Sequence, residues 1–332
     1  MVTKMTNSPF GSITDKLDRS GVPALVHAKH PGSICIINYK GGVGKTTVTA
    51  LLGIYLAQVC KKRVLLFDID PQCSLSLALG FDPERISKGD STVFNLVEPA
   101  AWVKKKRPEN YAQRLKSPHL PRNLDVVPGS FRTDELDYII AKTLLKDEKR
   151  YLVELFLYMK QLLMSFEQDY DYVLIDCPPN KMFLTQAMLR ACSYYLPVTI
   201  PDQISIYGMP RLIRWVCEID PPADRPRFLG YVLNALTRAG GSASGTTNQQ
   251  GAQVDLLQNV RNLLDSDEQK IVSALPTVGG IPRLDVIARF LGANKSAFQD
   301  FKKSTSGQKT VDACLTGIRN TVIDRIQKFQ IL

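Results

Sequence analysis

The chain has 332 residues, 44% of them apolar, and a formal net charge of +10. That composition supplies a large core, and the lack of any run of 18 apolar residues or of a signal-peptide core argues against a spanning or secreted chain. Seven scattered cysteines without a Cys-x-x-Cys, and three ungrouped histidines, argue against disulfide or zinc frameworks and for a reducing, cytoplasmic setting, while the positive charge favours polyanionic partners.

In chain order, residues 1–32 read as a flexible arm rich in proline and glycine, too short to be a DNA-reading module. From residue 33 to 332 the pattern is that of one domain in which strands and helices alternate. Apolar runs predict strands over 34–38, 64–68, 124–128, 172–176, 195–200 and 228–234. Helical spacing falls near 46–60, 133–145, 150–167, 183–193, 208–219 and 252–265. Continuous apolar strands with crossover helices predict an α/β fold, a mostly parallel twisted sheet flanked by helices on both faces. Three segments fall outside this rhythm. Residues 101–122 hold seven cations and one anion, a candidate polyanion contact or a solvated surface. Residues 240–251 form a glycine- and serine-rich loop. Residues 310–330 are amphipathic and predict a C-terminal helix packed on the body, its polar face mixed in charge.

The chemistry concentrates after the first strand, in Tyr39-Lys40-Gly41-Gly42-Val43-Gly44-Lys45-Thr46-Thr47. Glycines let successive N–H groups curl around one anion at a helix N-terminus. Lys45 is placed for the outer phosphates and the Thr46 hydroxyl for Mg²⁺. The ordinary motif carries glycine where this chain has Tyr39, and a second lysine, Lys40, follows it. A cation there is poorly placed for its own γ-phosphate but can reach a nucleotide held by a second copy of the chain. Asp68 and Asp176 close apolar strands, from which carboxylates can line a magnesium sphere. Asn234 closes the predicted strand 228–234, where an amide could read an adenine edge. Cys177, beside Asp176, reads as a small buried filler.

These segments resemble the ParA/MinD family of deviant Walker P-loop NTPases. Lys40 to Thr47 is similar to its phosphate loop, Val64 to Gln72 to its Asp-x-Asp-Pro-Gln box, and Tyr172 to Pro179 to its Walker B strand. Weaker similarity continues through Ile200 and Ile281-Pro282-Arg283, so the resemblance spans about residues 33 to 292. The Asp-Pro-Gln wording points to the ParA branch. The resemblance implies ATP and Mg²⁺ as cofactors, and Lys40 as a lysine acting across an ATP-dependent homodimer. It implies Lys45 and Asp70 in catalysis, with Asp70 positioning water, and an adenine pocket lined by Pro282 and Arg283. It further implies a partition ATPase that binds DNA nonspecifically and is released when a ParB-like adaptor stimulates hydrolysis. A MinD-like membrane-cycling ATPase is the alternative; the mixed charge over 310–330 weighs against it.

Overall fold

The computed structural model describes residues 32–86, 92–98, 120–145, 147–200, 203–219, 225–236, 279–282 and 326. The N-terminal arm up to residue 31, the basic stretch at 104–107, the loop 240–251, the helix expected over 252–265 and Arg283 lie outside them.

The described strands are β1 (Ser33–Ile37), β2 (Val64–Asp68), β3 (Leu124–Val127), β4 (Tyr172–Asp176), β5 (Tyr194–Thr199), β6 (Arg227–Phe228), β7 (Val232–Leu236) and β8 (Gly279–Pro282). They form one sheet in the order β3-β2-β4-β1-β5-β7-β8, with β6 also on β5. Every pairing is parallel. Parallel neighbours require crossovers, and the helices between the strands supply them.

Both faces of the sheet are apolar, which is why the strands read as continuous apolar runs rather than as alternating ones. Odd and even positions serve different layers. Ile34, Ile36, Leu66 and Leu174 pack with α1 (Lys45–Gln58) and α2 (Ser74–Ala78). Cys35, Ile37, Phe67 and Ile175 face the other layer. That layer holds α4 (Val93–Val97), α5 (Thr133–Leu144), α6 (Glu148–Asp169), α7 (Phe183–Ala191) and α8 (Gln203–Cys217). The short α3 (Pro83–Ile86) lies between α2 and α4 in sequence.

Three expectations are revised. Helical spacing near 46–60 predicts one apolar face, yet every residue from Val48 to Ala57 is buried, and Val59, just beyond the helix end, is 55% exposed. The single strand expected over 228–234 is two segments. Gly230 has φ +107°, a conformation that breaks the extended run, so β6 and β7 pair with β5 at successive registers. Finally, β8 was not expected as a strand; it extends the sheet beside β7. In the predicted C-terminal helix only Ile326 is described; it is helical and 2% exposed in the layer of α1. Among the described residues, no helix is long and apolar enough to cross a membrane.

Candidate functional site: a phosphate loop beside three carboxylates

Sheet order brings distant segments together. β4 lies between β2 and β1, with Asp176 in register with both Asp68 and Ile36. The carboxyl ends of these strands, where open α/β sheets place ligands, therefore gather the phosphate loop, the Asp68–Gln72 box and the end of β4.

The loop from Asn38 to Gly44 is held from several sides. Asn38 is buried; its amide donates to the Val198 carbonyl at 2.7 Å, and its oxygen accepts the Lys40 N–H at 3.0 Å. Lys45 Nζ reaches back to the Lys40 carbonyl at 3.1 Å. Gly42 and Gly44 have φ of +72° and +92°. At Gly44 a Cβ would lie 1.9 Å from Asn234 Nδ2, so both the turn and the space require glycine. Val43 is buried under the loop, while Gly41 and Gly42 are exposed at its rim. Lys45, Thr46 and Thr47 form the first turn of α1, where N–H groups without a helical partner carry the positive end of the helix dipole.

Thr46 Oγ1 donates to Asp176 Oδ2 at 2.7 Å. The Thr49 hydroxyl lies 2.9 Å from the Lys45 carbonyl and 3.3 Å from Asp176 Oδ1. Asp68 is turned toward α2: its Oδ2 accepts both the Ser76 hydroxyl at 2.6 Å and the Ser76 N–H at 2.9 Å. Its Oδ1 accepts the Asp70 N–H at 3.3 Å. Asp70 Oδ1 accepts the Gln72 N–H at 2.9 Å, and the residue is buried, with 9% exposure.

Electrostatics follow from burial. Desolvation pushes the Asp68 carboxyl up to about 6, with the Asp70 charge adding to it and the Ser76 hydrogen bonds opposing it. Burial also drives Asp176 well above the usual carboxylate range, helped by Asp68, while Thr46 and Lys45 pull it down. Burial lowers the Lys45 ammonium, and the charges of Asp176 and Asp70 partly restore it. Asp176 and Asp70 thus act on one buried lysine while Asp68 presses on Asp176, an excess of acid that a divalent cation would offset. Among the described residues no group of three or more carboxylate, histidine or cysteine side chains is arranged to cage a metal. A hydroxyl and one carboxylate at a phosphate site suit Mg²⁺, which keeps waters and phosphate oxygens as its other ligands.

Two expected roles meet different partners. Asp68, expected in the magnesium sphere, has Oδ2 occupied by Ser76 and Oδ1 by the Asp70 N–H, and holds the Asp-Pro-Gln box to α2. Asn234, expected at adenine, donates its amide to the Val43 carbonyl at 2.8 Å, and so braces the phosphate loop from β7. Pro282 ends β8, opposite Leu236 of β7. Cys177 is fully buried, with its thiol 3.7 Å from the Ile175 carbonyl, as a filler should be. Sequence reading missed Asn38, Ser76 and Gly129, whose N–H donates to Ser76 Oγ at 2.8 Å. None has a motif; each acts through contacts between segments far apart in the chain.

A family model described as an AAA domain matches residues 32–224. The chromosome-partitioning ATPase Soj of Treponema pallidum is 34% identical over 202 residues, covering 60% of this chain and 70% of that protein. A ParA family protein of Chlamydia pneumoniae is 33% identical over 184 residues, or 55% of this chain and 64% of the relative, so less than two thirds of that relative's length is spanned. Among solved structures, pNOB8 ParA bound to nonspecific DNA superposes with a TM-score of 0.63 at 22% identity, covering 90% of this chain and 99% of that one. An ATP complex of Cyanothece McdA gives 0.64 at 17% identity, with 88% and 96% coverage. These two share the fold.

Proposed function

The chain belongs to the ParA/MinD family of P-loop ATPases, and from that premise we propose that it is a partition ATPase whose ATP-bound dimer binds DNA nonspecifically. The observation that carries the reading is the convergence of Lys45, Thr46, Asp70 and Asp176 at the carboxyl ends of β1, β4 and β2, with Thr46 bonded to Asp176 at 2.7 Å.

The N–H groups of Gly42 to Thr47 would hold the phosphates of ATP, and the Lys45 ammonium would offset their charge. Thr46 and Asp176 are the residues that would hold Mg²⁺, and the ion would supply positive charge against the phosphates. Asp70 orients the attacking water through its carboxylate. Lys40 acts on the nucleotide of the partner copy and offsets charge that grows during hydrolysis. Pro282 and Arg283 are proposed for adenine recognition on the family resemblance, while Asn234 braces the phosphate loop from β7. From residue 33 to 332 the chain acts as one ATPase unit, preceded by its arm.

Pairing two basic subunits roughly doubles the phosphate contacts to DNA, which raises affinity and steepens its salt dependence. Hydrolysis, stimulated by a ParB-like adaptor on the cargo, separates the pair and releases DNA. The protein then works in the cytoplasm, on the nucleoid, to segregate or position a large cargo. The relative Soj is named for chromosome partitioning, and pNOB8 ParA was solved on nonspecific DNA; both names support this reading.

DNA co-sedimentation tests it. With ATP, the chain should pellet with DNA and lose binding steeply as salt rises; with ADP it should remain in the supernatant. Equal binding in both nucleotide states would remove the switch.

A further inference from the structure

Tyr39 stands immediately before Lys40, where a glycine would give an ordinary phosphate loop. Its ring lies on Trp215 of α8, with centroids 5.5 Å apart and planes inclined by 32°. The Lys181 ammonium sits over both rings, 5.1 Å from the Tyr39 centroid and 5.0 Å from that of Trp215. A cation at this distance from two π faces is attracted to each. The Arg211 guanidinium approaches the Tyr39 ring from the same helix as Trp215, at 6.0 Å.

Lys181 belongs to the segment between Asp176 and α7. That segment is held at both ends. Asp176 is bonded to Thr46 at its start. At its finish the Asp137 carboxylate of α5 accepts the N–H groups of Phe183 and Leu184, at 3.1 and 3.3 Å, and caps α7. The Lys181 carbonyl itself accepts the Gln186 amide at 2.8 Å. With its backbone fixed, the free variable is where the ammonium points, and it points at the residue preceding Lys40.

We propose that Lys181 is a positioning residue for ATP hydrolysis: seated on Tyr39 and Trp215, it ties the segment after Asp176 to the entrance of the phosphate loop and sets the backbone from which Lys40 extends. The proposal rests on the ATPase reading given above. Its chemistry predicts that another cation can serve at position 181 and that a neutral side chain of similar length cannot. Lys181 is exposed, so its replacement leaves the fold intact.

Two measurements on the full chain decide the matter. In steady-state phosphate release, Lys181→Met should lower kcat by about tenfold with KM changed less than about threefold, whereas Lys181→Arg should stay within about threefold of the parent. Equal losses in both variants, or none in Lys181→Met, overturn the proposal. The second measurement does not need turnover. The chain has two tryptophans, so Trp102→Phe leaves Trp215 as the sole indole. Mg·ATP should shift Trp215 emission in that background, and the shift should vanish when Lys181→Met is added and survive with Lys181→Arg. A shift indifferent to residue 181, or no shift at all, refutes the clamp. A Lys181-dependent shift in a chain that releases no phosphate keeps the clamp and removes the ATPase reading instead.

Discussion

Gly44 carries two constraints at once. Its φ of +92° lies where side chains are strained, and Asn234 occupies the space a Cβ would take. Gly44→Ala should therefore cost about 1–3 kcal/mol of stability, read by chemical denaturation. It should also weaken ATP binding by more than about tenfold in calorimetric titration, because the loop N–H groups no longer converge. Asp68 gives a pH signature of the nucleotide-free chain. Its carboxyl is raised from the usual range to about 6, so between roughly pH 4 and 6 the folded state holds more protons than the unfolded one. Stability from this group is present at the low end of that window and is lost as pH rises through it. Asp176 is displaced in the same direction by burial. Thermal melts from pH 4.5 to 7 should show this falling component, and Asp68→Asn, which keeps an acceptor for Ser76, should reduce it.

At the scale of elements, the helix capped from outside itself is α7. Its N-cap Met182 supplies no side-chain acceptor, and Asp137 of α5 takes that place. Asp137→Ala should cost about 1 kcal/mol, the usual loss for an N-terminal cap, measured by urea unfolding. A larger share of the effect should appear in turnover than in ATP affinity, since the uncapped turn adjoins Lys181. By contrast α6 carries its own cap: Asp147 accepts the Arg150 N–H at 3.2 Å. The two helices show the same demand for a partner at orphan N–H groups met locally in one case and by tertiary contact in the other.

At the scale of the whole molecule, the proposed switch separates association from chemistry. Asp70→Ala should leave ATP-dependent dimerisation intact while suppressing phosphate release by at least about tenfold. Light scattering with ATP should then report a pair of 37.0 kDa chains. A monomeric Asp70→Ala chain that still binds ATP would place Asp70 in the interface rather than beside water.

Local pattern made much of this legible. The strands β1 to β5 and the helices α1, α5, α6 and α7 follow from apolar runs and helical spacing, since a sheet buried on both faces admits little else. The phosphate loop and the two aspartate boxes were readable because their chemistry is written in consecutive residues. Other features depend on which strands become neighbours. The split at Gly230 and the short strand β8 appear only once β5 and β7 offer edges to pair with. Asn234 bracing Val43, Ser76 holding Asp68, and Lys181 over Tyr39 and Trp215 join residues that share no local sequence. The chain alone determined that a phosphate-binding edge would exist, because the glycines, lysines and carboxylates of each motif are set by short-range geometry. The folded sheet decided which polar groups face a ligand and which are occupied by one another, because a side chain's partner is whatever packing brings within hydrogen-bond reach.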